Sequence, residues 1–277
     1  MVQDMSELTM ISIKAAVEAG LRIMEIFNNK VRIRLKLNLS PVTNADIAAN
    51  ELILERLAHL NIPVISEEST KIPFRDRQKW NVFWLVDPLD GTKEFISRSN
   101  DFTVNIALVK EGVPVLGVIY APAHDVLYFG TIRQGAFKVE AASKAVIKGS
   151  ENTLDAIIPL STPLPDTQTE IYTYVVSKSH INAKTSKYLE AKQNPKHFVS
   201  MGSSLKLCAL AEGRADEYPR FGRTMEWDIA AGDAILRSAG GKIRNVENSE
   251  PLKYNKENLA NPEFIAYRAN RQTLIIH

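Results

Sequence analysis

The chain has 277 residues, 45% hydrophobic and 24% charged, with a formal net charge of +2, a balance that gives bulk electrostatics no pull towards nucleic acid. Its single cysteine, Cys208, excludes an intrachain disulfide framework and a zinc site built from several thiolates, and makes a reducing, cytoplasmic setting the expectation. No apolar stretch approaches bilayer-spanning length, and Asp4 and Glu7 precede any apolar run, unlike a signal peptide.

In chain order, Leu8, Ile11, Ala15, Ala19, Ile23 and Ile26 recur at helical spacing and predict a helix from Ser6 to Phe27. Val31, Ile33, Leu35 and Leu37 then alternate with Arg32, Arg34, Lys36 and Asn38, a strand whose basic face is expected to be solvated and to discourage edge pairing. Thr43, with Asp46 three residues on, reads as the capped start of a helix running to about Leu60. A short strand, Pro63 to Ser66, leads into Glu67-Glu68. Strands at Phe102–Val109, Val113–Tyr120, Val126–Phe129 and Gly135–Val139 form a meander, with Lys110-Glu111-Gly112 as a hairpin turn. The polar stretch from Ala142 to Asp155 is expected to hold a domain boundary, dividing the chain into 1–148 and 149–277. Beyond it, strands and helices alternate. Strands are expected at Thr173–Val176, His197–Ser200, Lys242–Val246 and Glu263–Ala266. Helices are expected at Asn182–Lys192, Ser203–Ala211 and Trp227–Ser238. That alternation argues for an α/β second half.

The most informative stretch is Trp84-Leu85-Val86-Asp87-Pro88-Leu89-Asp90-Gly91-Thr92. The apolar run Val82–Val86 predicts a buried strand. Asp87 precedes proline, so it is pushed to an extended conformation at the strand's end. Pro88 is expected to turn the chain and bring Asp90 back beside Asp87, with the Leu89 carbonyl between them. Two carboxylates and a carbonyl form a hard oxygen site suited to Mg²⁺. Gly91 and Thr92 offer N–H groups and a hydroxyl to a phosphate oxygen. An Asp-rich turn after a core strand would look similar over Asp-x-x-Asp alone. No P-loop, Gly-x-Gly-x-x-Gly, His-Glu-x-x-His or Gly-x-Ser-x-Gly is present, and the five histidines lack metal-ligand spacing.

Three anchors occur in order: Ser66-Glu67-Glu68, Asp87 to Thr92 extended through Lys93-Glu94-Phe95-Ile96, and Trp227-Asp228-Ile229-Ala230-Ala231-Gly232. With them the chain resembles the inositol monophosphatase superfamily of metal-dependent phosphatases over nearly its whole length. Within it the chain is most similar to the bacterial 3'(2'),5'-bisphosphate nucleotidases. The resemblance implies a layered αβαβα sandwich, an α+β first domain followed by a smaller α/β domain, with the active site between them. It implies two or three Mg²⁺ ions held by Glu67, Asp87, the Leu89 carbonyl, Asp90 and Asp228. It implies Thr92 paired with Asp46 as the proton acceptor for the attacking water, with Glu67 also near that water. Leu89, Asp90, Gly91, Thr92 and Asp228 would meet the scissile phosphate end of the substrate. Ser177, His180, Gly202 and Lys206 would hold the remainder of a nucleoside bisphosphate, and Arg220 is a further candidate.

By this resemblance the expected reaction converts adenosine 3',5'-bisphosphate to AMP and phosphate, clearing a by-product of sulfate activation, with lithium competing for a metal position. Some bacterial relatives are described as loosely attached to the inner membrane. The residues leave other readings open: an inositol or sugar phosphatase, a metal-bound nucleotide sensor without catalysis, or a nucleic-acid module resting on Arg32, Arg34 and Lys36. Ser203 could be an N-cap and Lys206 an exposed helix lysine. Trp227 reads as packing, and Glu68 as a neighbour outside the metal set.

Overall fold

The structure is a computed structural model that describes residues 4–36, 40–69, 71–148, 157–160, 171–178 and 181–269. Helix α1 (Met5–Phe27) is capped by the Asp4 carboxylate, which accepts from Ser6 N–H. A two-stranded ribbon follows, β1 (Ile33–Leu35) against β2 (Pro41–Thr43); the expected continuation of β1 through Leu37 and Asn38 lies outside the described residues. Helix α2 (Asn44–Ala58) begins with the expected capping box: Asp46 accepts from the Thr43 backbone N–H while Thr43 Oγ1 accepts from Ala45 N–H.

The first sheet orders its strands as β3 (Val64–Ser66), β4 (Val82–Asp90), β5 (Thr103–Lys110), β6 (Val113–Ala121), β7 (Val126–Thr131), β8 (Gly135–Glu140) and β9 (Ile157–Pro159). All neighbours are antiparallel except β3 and β4. Period-two alternation sends each strand's side chains to opposite faces. Trp84, Val86, Val104, Ile106 and Leu108 join α1 and α2 in one apolar core. Phe83, Leu85, Ala107, Val109 and Ile119 join a second core with α7 (Leu205–Ala211) and α8 (Glu226–Ser238). Short helices α3 (Phe74–Arg77), α4 (Thr92–Ile96) and α5 (Ala142–Lys148) complete the first half.

The second sheet has the order β11-β10-β12-β14-β13, with β10 (Tyr172–Ser177), β11 (Lys196–Met201), β12 (Glu217–Arg220), β13 (Lys242–Asn245) and β14 (Phe264–Tyr267). Val175 faces the α7/α8 core, whereas Tyr174 and Val176 face Leu189 of α6 (Ala183–Glu190). The layers therefore run α1/α2, first sheet, α7/α8, second sheet, α6: an αβαβα sandwich. The first sheet extends beyond the expected boundary, because β9 pairs with β8. No helix of the described residues is long and apolar enough to cross a membrane.

Candidate active site

The acidic stretch is organised by a β-bulge rather than by the expected turn. On β4, Asp87 pairs with Asn105 and Asp90 with Thr103 of β5, so one extra residue is accommodated between them. Pro88 has no N–H to give to the ladder, and the bulge places it where none is needed. The strand thus continues through Asp90. Gly91 then adopts φ 94°, and a Cβ there would meet the Asp101 carbonyl oxygen at 2.9 Å. Only glycine fits both demands. The chain leaves Gly91 directly into α4, which starts at Thr92.

Three elements bring carboxylates to this bulge. Glu67 follows β3 and its N–H donates to Val86 O at 3.1 Å. Asp228 sits in the first turn of α8, where it accepts from Met225 N–H at 2.8 Å. Glu67, Asp87 and Asp228 place one oxygen each within 4.8 Å of one another. Asp90 lines the same cavity, which has a volume of about 310 Å³. Burial, then the charges of Glu67, Asp90, Asp228 and Asp46, push the Asp87 carboxyl well above its ordinary range. Burial and the Asp90 charge do the same to Asp228. Clustered oxygens that resist ionisation together are what a divalent cation relieves, so the donor set fits a hard metal ion.

Thr92 and Asp46, 46 residues apart, meet as expected. Thr92 Oγ1 donates to Asp46 Oδ1 at 3.0 Å and also lies 3.3 Å from the Leu89 carbonyl oxygen. Asp46 Oδ2 accepts from Thr43 N–H and Oγ1 at 2.7 and 2.6 Å, fixing the carboxylate from behind. Its burial raises its pKa. The helix-capping and site roles of Asp46 are therefore both geometrically available, one on each oxygen.

The basic side chains of the Arg32–Lys36 stretch are not uniformly solvated, and the exception lies just past β1. Lys36 Nζ lies 2.8 Å from Glu67 Oε1 and also pairs with Glu68, which is largely buried. Burial alone would lower the Lys36 pKa, but Glu67 and Glu68 outweigh it and hold it up. Neither contact is visible in the sequence, because the partners stand 31 and 32 residues away.

Among the expected substrate contacts, Ser177 at the end of β10, Lys206 on α7, and Leu89, Asp90, Gly91, Thr92 and Asp228 all line the cavity. Lys206 is buried rather than exposed, and burial lowers its pKa to about 8. Its ammonium donates to the Ser203 carbonyl and lies 5.5 Å from the Tyr218 ring centroid. Gly202 is placed differently: its N–H donates to Asp101 Oδ2 at 3.2 Å, and it packs on Asp101 and Glu94. The α7 N-cap is Ser204, not Ser203. His180 lies outside the described residues. Arg220, a further candidate, and Tyr218, which the sequence does not single out, both line the cavity, and Arg220 Nε is buried with no protein acceptor.

The model of the inositol monophosphatase family matches residues 4–276, and the chain belongs to that family. It is 44% identical over 230 residues to the 3'(2'),5'-bisphosphate nucleotidase CysQ of Buchnera aphidicola subsp. Acyrthosiphon pisum, covering 82% of this chain and 80% of that one. Identity to the Escherichia coli K12 protein of the same name is 41% over 251 residues, covering 89% and 94%. The crystal structure of CysQ from Bacteroides thetaiotaomicron, a bacterial member of the same family, superposes with a TM-score of 0.84 at 41% identity, covering 97% of this chain and 99% of that one.

Proposed function

We propose that this protein is a Mg²⁺-dependent 3'(2'),5'-bisphosphate nucleotidase that hydrolyses adenosine 3',5'-bisphosphate to AMP and phosphate. The observation that carries the reading is a single cavity lined by two opposite kinds of side chain. Glu67, Asp87, Asp90 and Asp228 supply carboxylates, while Lys206 and Arg220 supply cationic donors. A monophosphate ester needs only the first set. A second phosphate needs the second set, and a buried ammonium with an unpartnered guanidinium N–H suits a phosphate dianion. The relatives named above as bisphosphate nucleotidases support the same substrate class.

Glu67, Asp87, the Leu89 carbonyl, Asp90 and Asp228 would hold two or three divalent ions. When bound, these ions supply charge neutralisation of the phosphoryl group and activation of water. Thr92 Oγ1 would take a proton from the attacking water as it passes its own hydroxyl proton to Asp46 Oδ1, to which it is already hydrogen-bonded. Thr43 keeps Asp46 from rotating out of this geometry. The Gly91 and Thr92 N–H groups, at the turn from β4 into α4, would meet phosphate oxygens. Ser177 and Tyr218 contribute hydroxyls to the cavity wall.

The family also contains inositol phosphatases, and steady-state kinetics separate the readings. The catalytic efficiency on adenosine 3',5'-bisphosphate should exceed that on inositol monophosphate by at least about a hundredfold, because a single-phosphate substrate leaves the buried cationic groups unpaired. Comparable or reversed values would make the chain an inositol or sugar phosphatase. Phosphate release that survives in Asp90→Asn would remove the metal assignment. Absence of release from the wild type would leave a binding protein without catalysis.

A further inference from the structure

We propose that Ser203 is a positioning residue that couples the anion pocket around Lys206 to the metal-site carboxylate of Asp90, so that an anion at Lys206 and divalent ions at Asp90 strengthen each other's binding. The inference rests on the bisphosphate reading, which supplies both ligands.

Ser203 faces both ligand sets at once. Its hydroxyl donates to Asp90 Oδ2 at 2.7 Å, and its carbonyl accepts from the Lys206 ammonium. Its hydroxyl also lies 2.5 Å from Thr103 Oγ1. Ser204 donates to the same Asp90 oxygen at 2.7 Å and accepts from Asn105 Nδ2 at 2.7 Å. With Asn105 Nδ2 also 3.4 Å away, Oδ2 is fully engaged by protein. Asp90 is thereby oriented with Oδ1 as the oxygen left for a cation.

The backbone of Ser203 is in the left-handed region, with φ 49°. A non-glycine residue held there is strained and persists only where its surroundings over-determine it. Those surroundings are the two contacts just described and the wedge beside them. Gly202 presses so closely on the first half that a Cβ there would stand 2.7 Å from Asp101 Cβ. Lys206 can leave the Ser203 carbonyl only by exchanging it for another acceptor. Divalent ions that fix Asp90 also fix Ser203, and a fixed Ser203 holds Lys206 in place for an anion. Whichever ligand arrives second meets a loop already ordered, which makes the coupling positive.

Ser204 provides the contrast. It shares the Asp90 bond, but its carbonyl accepts from Leu207 and Cys208 N–H, not from Lys206. Removing its hydroxyl loosens Asp90 without touching the link. Glycine at 203 removes the hydroxyl while accepting the left-handed backbone.

The test is calorimetric titration with Mg²⁺ and with AMP, the product, which is not turned over. In the wild type, saturating AMP should tighten apparent Mg²⁺ binding by about fivefold or more, and Mg²⁺ should tighten AMP by the same factor. Ser203→Gly should bind each ligand alone yet show no mutual effect. Ser204→Ala should bind Mg²⁺ more weakly but keep the fold-change. Wild-type protein that binds both ligands independently overturns the coupling and leaves the nucleotide reading standing. A Ser203→Gly protein with the wild-type fold-change assigns the coupling elsewhere and overturns the role of Ser203. Wild-type protein that binds no AMP at all overturns both readings.

Discussion

Asp87 carries a heavy electrostatic load in the acidic cluster. It is buried, and the charges of Glu67, Asp90, Asp228 and Asp46 all oppose its ionisation. Replacing it with asparagine keeps the shape and the acceptor for Leu89 N–H, which it now holds at 3.1 Å. Asp87→Asn should therefore lose activity by at least about a hundredfold, as for removal of a principal electrostatic group. Its metal-free melting temperature should match or exceed that of the wild type, because repulsion is relieved. The rise in melting temperature on adding Mg²⁺ should shrink. A variant that unfolds in the absence of metal would contradict the assignment.

Lys206 pulls in the other direction. Its amine is pushed down to about 8 by burial. A base with a depressed folded value costs stability while it is charged, here about 3 kcal/mol at neutral pH relative to an ordinary lysine. The cost shrinks as pH rises from about 8 towards the unfolded value. Lys206→Met should consequently raise the melting temperature at pH 7 while raising KM for the bisphosphate. In the wild type, KM for the bisphosphate should climb above pH 8 as the pocket loses its charge. KM for a single-phosphate substrate should not, and that difference is the readout.

At the scale of elements, the turn from β4 into α4 decides whether Asp90 and Thr92 point into one cavity. Gly91→Ala must keep φ near 94° and bring a methyl to within 2.9 Å of the Asp101 carbonyl oxygen. The expected cost is about 1–3 kcal/mol in denaturant unfolding, with loss of activity beyond what the residual folded fraction explains. This segment also marks what the sequence made legible. Helices α1, α2 and α8 and the β5–β8 meander followed from periodicity and caps, because those signals are local. The bulge did not follow, since it depends on which β5 residues pair with Asp87 and Asp90. Strand β12 was hidden by Pro219, which ordinarily argues against a central strand. The fold tolerates it because the β10 pairing with β12 involves only Glu217, leaving Pro219 to face Ile265 of β14. For the site, Asp87 to Thr92 was readable as one contiguous string. The Lys36 pairs with Glu67 and Glu68, and the Ser203 and Ser204 bonds to Asp90, join residues 31 to 114 positions apart. No periodicity reports such meetings.

At the scale of the whole molecule, the two halves named from composition share a core. Helix α8 comes from the second half of the chain, yet Ile229, Ile235 and Leu236 are buried in the cluster that contains Phe83, Leu85, Val109 and Ile119 of the first sheet. Uncovering those four sheet residues alone would cost about 1.5–3 kcal/mol each. Together that rivals the 5–15 kcal/mol by which whole domains are stable. Asp228 at the start of α8 ties the same helix to the acidic cluster, so packing and site assembly are one event. Thermal unfolding of the metal-free protein should accordingly be a single transition, with calorimetric and van't Hoff enthalpies in agreement. A fragment of residues 1–148 should bind a dye specific for exposed apolar surface and lack a cooperative transition. Two separated transitions in the intact chain, or a cooperatively melting fragment, would show that the sheet face beneath α8 is stable uncovered and that the halves fold independently.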